Sequence, residues 1–172
     1  MTKNVFKKND FIAIYTDVDR DSFGLGKVVE VDDNDIIIGS IDPSGLEDGL
    51  ILYNISTICK IEKNTQYCAK IQKLMQIKNT EFQTYKFEGK SILQELLALA
   101  QNNKKFVEIE LQNSHESNSF GIVELFDENI CKIRQFDNYG EKDGIGILSI
   151  EDISSIKYDS LESRAIFLLT AK

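Results

Sequence analysis

The sequence predicts an α+β fold, mainly β with helices, built as two tandem five-stranded small barrels that are each followed by a helix. Three observations carry this expectation. The chain repeats itself without a gap when slid by 95 residues, with 17 identities over about 64 positions. Each copy is a series of short apolar runs cut by Asp, Asn and Gly clusters. Each copy then ends on apolar residues at helical spacing.

The elements follow in order. Phe11 to Thr16 and Phe106 to Leu111 are short strand-like runs. Gly26 to Val31 and Gly121 to Phe126 are rich in Val, Ile and Phe, which suit a pleated, half-buried surface. The clusters Asp32-Asp33-Asn34-Asp35 and Asp127-Glu128-Asn129 predict turns, because Asp and Asn side chains bond their own backbone. A third strand runs through Ile36-Ile37-Ile38 and through Ile130 to Ile133. Loops with Gly45, Asp48 and Gly49, or Gly140, Asp143 and Gly144, lead to Leu50–Tyr53 and Ile145–Leu148. The fifth strands are Thr57–Glu62 and Asp152–Tyr158. A sheet this short and twisted is expected to close into a barrel, which removes its free edges.

Helices should close both copies. Tyr67, Ile71, Leu74 and Met75 are spaced i, i+4, i+7, i+8, as are Leu161, Ala165, Leu168 and Leu169. Asn64 or Thr65, and Ser160, suit the N-caps. A further helix over 91–102 carries a Ser cap, Gln94 three residues on, and an apolar face of Ile92, Leu93, Leu96, Leu97 and Ala100. The expected domains are therefore 1–76, a polar linker over 77–90, and 91–172.

Composition narrows the function classes. The 172 residues hold 20 Lys+Arg against 28 Asp+Glu, a net charge of -8, which disfavours generic binding to a phosphate backbone. No apolar run approaches the roughly 20 residues of a membrane-spanning helix, so no membrane partner is expected. The opening MTKNVFKKND lacks the apolar core of a signal peptide. Cys59, Cys68 and Cys131 are odd in number and unevenly spaced, which points to a reducing cytoplasm rather than a disulfide framework.

A helix followed by five strands with a Gly in the second is the order in which the second copy resembles the Sm and Sm-like small barrels. The first copy shares the strands and the Gly but has no room for the leading helix, and other five-stranded SH3-like barrels fit the pattern as an alternative. Gly121, Val123, Phe126, Asp127 and Asn129 fit the family's first block, as do Gly26, Val28, Val31, Asp32 and Asn34. Ile153 and Ile156, like Ile58 and Ile61, keep the repeated Ile of the second block. The family's Arg-Gly pair is replaced by Ser149-Ile150 and by Asn54-Ile55. The resemblance thus implies a fold without the family's RNA-binding residues, and fold alone does not license function.

Each chemical candidate has a plainer explanation. Asp17, Asp19 and Asp21 alternate like a calcium loop, but the sixth and twelfth positions are Ser22 and Val28 instead of Gly and Glu. Cys59, Cys68 and His115 lack the closely paired spacing of a zinc site. His115, the only His, has no nucleophile or orienting acid arguable from spacing. Glu151-Asp152 is one acidic pair on an acidic chain, and Gly24-Leu25-Gly26 enters a strand where a phosphate loop would enter a helix. No catalytic residue, cofactor or metal is expected. One charge pattern stands out: Lys60, Lys63, Lys70, Lys73 and Lys78 are opposed only by Glu62, with Tyr67 among them. Lys60, Lys63, Tyr67, Lys70 and Lys73 are the candidate partner-binding residues. The expected role is a non-enzymatic interaction or scaffold protein that binds protein, including itself; an RNA-binding Sm-like regulator is the alternative.

Overall fold

A computed structural model describes residues 3–17, 23–88, 90–112 and 119–170. They form two compact units, residues 1–92 and 93–172. The first contains β1 (Phe11–Thr16), β2 (Gly24–Val31), β3 (Asp35–Ile41), β4 (Glu47–Asn54), β5 (Ile58–Lys63) and α1 (Gln66–Lys78). The second is entered through α2 (Ile92–Asn103). It continues with β6 (Phe106–Leu111), β7 (Ser119–Phe126), β8 (Ile130–Phe136), β9 (Lys142–Ser149), β10 (Ile153–Tyr158) and α3 (Leu161–Leu169).

Within each unit the strands are antiparallel and take one order, β5-β1-β2-β3-β4 in the first and β10-β6-β7-β8-β9 in the second. Register agrees as well. Phe11 faces Lys27 and Phe106 faces Ile122, while bulges fall between Val28 and Glu30 and between Val123 and Leu125. The shared turn residues explain why. Asp32 Oδ1 accepts the N–H groups of Asn34 and Asp35 at 2.9 and 2.8 Å. Asp127 Oδ1 accepts those of Asn129 and Ile130 at 2.7 and 2.9 Å. Asp42 likewise holds Ser44 and Leu46, and Asp137 holds Tyr139 and Glu141. Gly26 and Gly121 are needed where strands cross closely: a Cβ on either would collide with a backbone carbonyl, Gly39 O or Arg134 O. Thr65 and Ser160 cap α1 and α3, each accepting an N–H three residues on at 3.1 Å.

The expected closure into barrels does not occur. A three-residue 3-10 turn joins the fourth strand to the fifth in each unit, Ile55–Thr57 and Ile150–Asp152. It carries the fifth strand across to the first, so the fourth and fifth strands do not pair and the sheet stays open. Around the start of the polar stretch 77–90 the structure gives local contacts. α1 continues to Lys78, Thr80 Oγ1 donates to Gly45 O at 2.6 Å, and Phe82 packs over Gly39 of β3.

The inner face of the first sheet holds Ile12, Ile14, Val28, Ile36, Ile38, Ile51 and Ile58. A second cluster, Ala13, Leu25 and Ile41, lies under Cys68 and Ile71 of α1. In the second unit Ile109, Val123, Cys131, Ile133, Ile153 and Ile156 are buried. There Phe106 meets Phe120, Phe136 and Phe167 at centroid distances of 4.9, 5.0 and 5.6 Å.

Candidate partner interface

Lys60 and Lys63 stand on β5, and Tyr67, Lys70 and Lys73 on α1. The fold brings three of the five together around an aromatic cluster. Tyr15 of β1 packs on Phe23 at 5.0 Å, and Phe23 meets Tyr67 edge-on at 5.5 Å. The Lys60 ammonium lies 4.6 Å from the Tyr15 ring and that of Lys70 lies 5.7 Å from the Tyr67 ring. Phe23 and Tyr67 remain 39% and 37% exposed. Part of the positive charge is already engaged. Glu62 accepts from Lys60 at 2.6 Å and from Tyr15 Oη at 2.8 Å. The Lys60 and Tyr15 bonds hold the Glu62 carboxyl below its ordinary range, and the bond to Glu62 raises the Tyr15 phenol. Lys63 is tied to Asp10 at 2.6 Å, away from the rings. Lys70 and Lys73 have no ion pair among the described residues.

Tyr15 and Phe23 were not singled out from sequence. Strand alternation would place Tyr15 on the surface opposite Ile14, but the approach of Phe23 depends on the β1–β2 pairing. The second feature sequence reasoning missed is β9. It ends the strand order of the second unit and pairs only with β8 among the described strands. Opposite residues share a face, so Ile145 lies beside Arg134 and Ile147 beside Lys132. Ile145 is 58% and Ile147 66% exposed. The run Gly144-Ile145-Gly146-Ile147-Leu148 contains no charge and no proline. β5, which stands at one end of the first unit's strand order, carries Lys60, Glu62 and Lys63. Charges of that kind blunt an edge against strand pairing, and in β9 they stand only at its start, Lys142 and Asp143, ahead of the uncharged run.

The remaining candidates separate in space. Cys59 is exposed, whereas Cys68 and Cys131 are buried, and all three are free thiols. Burial pushes the Cys131 thiol up to about 12, which makes it inert at neutral pH. His115, Asp19 and Asp21 lie outside the described residues. Among the described residues no three His, Cys, Asp or Glu side chains gather as a metal site, and no helix is long and apolar enough to cross a membrane. A groove of about 580 Å³ beside the end of α1 is lined by Phe11, Lys27, Met75, Glu81 and Phe82 together with Asn, Gln and Thr side chains, with no nucleophile–base pair among them. No family model, curated protein or solved structure matches the chain.

Proposed function

We propose that the chain is a non-enzymatic cytoplasmic interaction protein, built from two copies of one Sm-like fold, that takes its partner by strand addition to β9. The observation carrying this reading is the unpaired β9 edge, whose uncharged stretch from Gly144 to Leu148 carries the exposed Ile145 and Ile147. An edge of free N–H and C=O groups flanked by apolar side chains is a template for an added strand. The shared strand order, the equivalent turns and the free thiols support the duplicated fold and the reducing compartment. The test is affinity capture from cell extract, with and without nuclease, using the wild-type chain and Ile145→Lys/Ile147→Lys. Capture of a protein that survives nuclease and is lost in the variant is expected. Capture unchanged by the variant would remove β9 from the account.

A second reading, RNA binding, is favoured by one observation: the exposed Phe23 and Tyr67 rings with Lys70 beside Tyr67 on α1, which also carries Lys73 and no acidic residue. Against it stand the missing Arg-Gly pair and the net charge of -8. Binding of labelled single-stranded RNA at physiological salt is expected to stay weaker than about 10 µM. Sub-micromolar binding abolished by Lys70→Glu/Lys73→Glu would put this reading first.

A further inference from the structure

The first unit carries a second candidate site, separate from β9 and independent of the reading above. We infer that the groove beside the end of α1 takes the aromatic side chain of a peptide. The difference between the two copies carries this.

In the second unit the same place is filled. Phe106 is 2% exposed, and three rings meet it: Phe120, Phe136 and Phe167. Its counterpart Phe11 holds the same register, facing Lys27 where Phe106 faces Ile122. Gln72 and Phe167 also correspond, each seven residues after its helix cap, Thr65 or Ser160. The three rings are thus replaced in the first unit by Leu25, Ile41 and Gln72. Phe11 is left half-buried, with no ring pair among the described residues. The groove of about 580 Å³ opens against it, with Met75 and Phe82 also in its wall.

The second unit shows which group fits there. Phe167 meets Phe106 edge-on, at 5.6 Å and 80°, an arrangement that aromatic pairs favour. An added phenyl ring meets Phe11 in the same way, against the adaptable thioether of Met75. The carboxamides of Gln72, Gln76 and Asn79 line the groove as well. Each offers a donor and an acceptor, the pair that a peptide backbone needs. The two charged groups of the lining, Lys27 and Glu81, are of opposite sign, so a polyanion gains nothing here.

Met75 reports the site directly, because the chain has only one other methionine, Met1. The experiment titrates methyl-13C-methionine-labelled full chain with the peptide N-acetyl-Ala-Phe-Ala-amide and follows the two methyl signals by NMR. A saturable shift of the Met75 signal is expected, with Met1 unmoved and a dissociation constant between about 10 µM and about 1 mM, the range for so small a ligand. The same peptide with Leu in place of Phe should bind about tenfold more weakly. Gln72→Phe, which supplies the ring from within, should abolish the response, alone or with Lys27→Ile. The melting temperature should hold or rise, since Gln72 is exposed. A Met75 signal that does not move by about 10 mM peptide would overturn the inference. So would equal binding of the Leu peptide, or a response that survives Gln72→Phe. Tighter binding of free phenylalanine or of adenosine monophosphate would overturn the peptide as occupant.

Discussion

The outer faces of the two sheets differ more than anything else in the molecule. In the first unit Ile37 and Gly39 of β3 lie opposite Leu52 and Leu50 of β4. Leu50 is 2% and Leu52 0% exposed, and Phe82 packs against the space that Gly39 leaves. The equivalent positions of the second unit are Lys132 and Arg134, opposite Ile147 and Ile145. Both cations pair with Glu124, and the isoleucines face water. The two inner faces, by contrast, are built alike, with Ile38 and Ile133 both buried. One chain pattern thus serves two ends: the inner face makes a core in both units, and the outer face is dry in one and open to water in the other.

The sharpest way to break this comparison is to truncate the matched outer residues. Leu52→Ala should cost about 2–5 kcal/mol, the range for a fully buried leucine, and Ile147→Ala less than about 0.5 kcal/mol in dilute protein. Urea unfolding measures both. Equal costs would mean that the outer faces are not different.

Asp35 gives the next effect, because its counterpart is the uncharged Ile130. Burial, then the nearby charge of Asp32, raises the Asp35 carboxyl from 3.8 to about 7, and its Oδ1 has no hydrogen-bond partner among the described residues. Between those two pH values the folded state holds a proton that the unfolded chain has released, so stability falls as pH rises. Asp35→Asn should therefore be nearly neutral near pH 4 and stabilising near pH 8, by at most about 4 kcal/mol. Melting curves across this range check it; a gain that is independent of pH would contradict the buried-acid account.

Gly26→Ala and Gly121→Ala should each cost about 1–3 kcal/mol, since a methyl at either meets the facing carbonyl. Here the units should agree, and a large difference would show that the strand crossings are not equivalent. Smallest are the caps. Thr65→Ala and Ser160→Ala should each cost about 1 kcal/mol by thermal denaturation.

Most strands and all three helices were legible in the sequence because their punctuation is chemical. Asp32, Asp42, Asp127 and Asp137 bond the turns that end the strands, and Thr65 and Ser160 start their helices. Closure was not legible. The turns Ile55–Thr57 and Ile150–Asp152 read as short breaks, and only their geometry shows that the fifth strand leaves the fourth. The interface was half legible. Leu50–Leu52 and Ile145–Ile147 look the same along the chain; what distinguishes them is who stands opposite, Ile37 and Gly39 or Lys132 and Arg134, and that depends on register. The lysine-rich helix was visible as charge, but the ties of Lys60 to Glu62 and Lys63 to Asp10 come from strand pairing.

Residue-resolved amide hydrogen exchange tests the central claim, that β9 is an open edge. The Ile36–Ile38 amides of β3, which is paired on both sides, should be protected, while those of β9 on the side away from β8 exchange fast. Protection of those β9 amides matching that of β3 would contradict it.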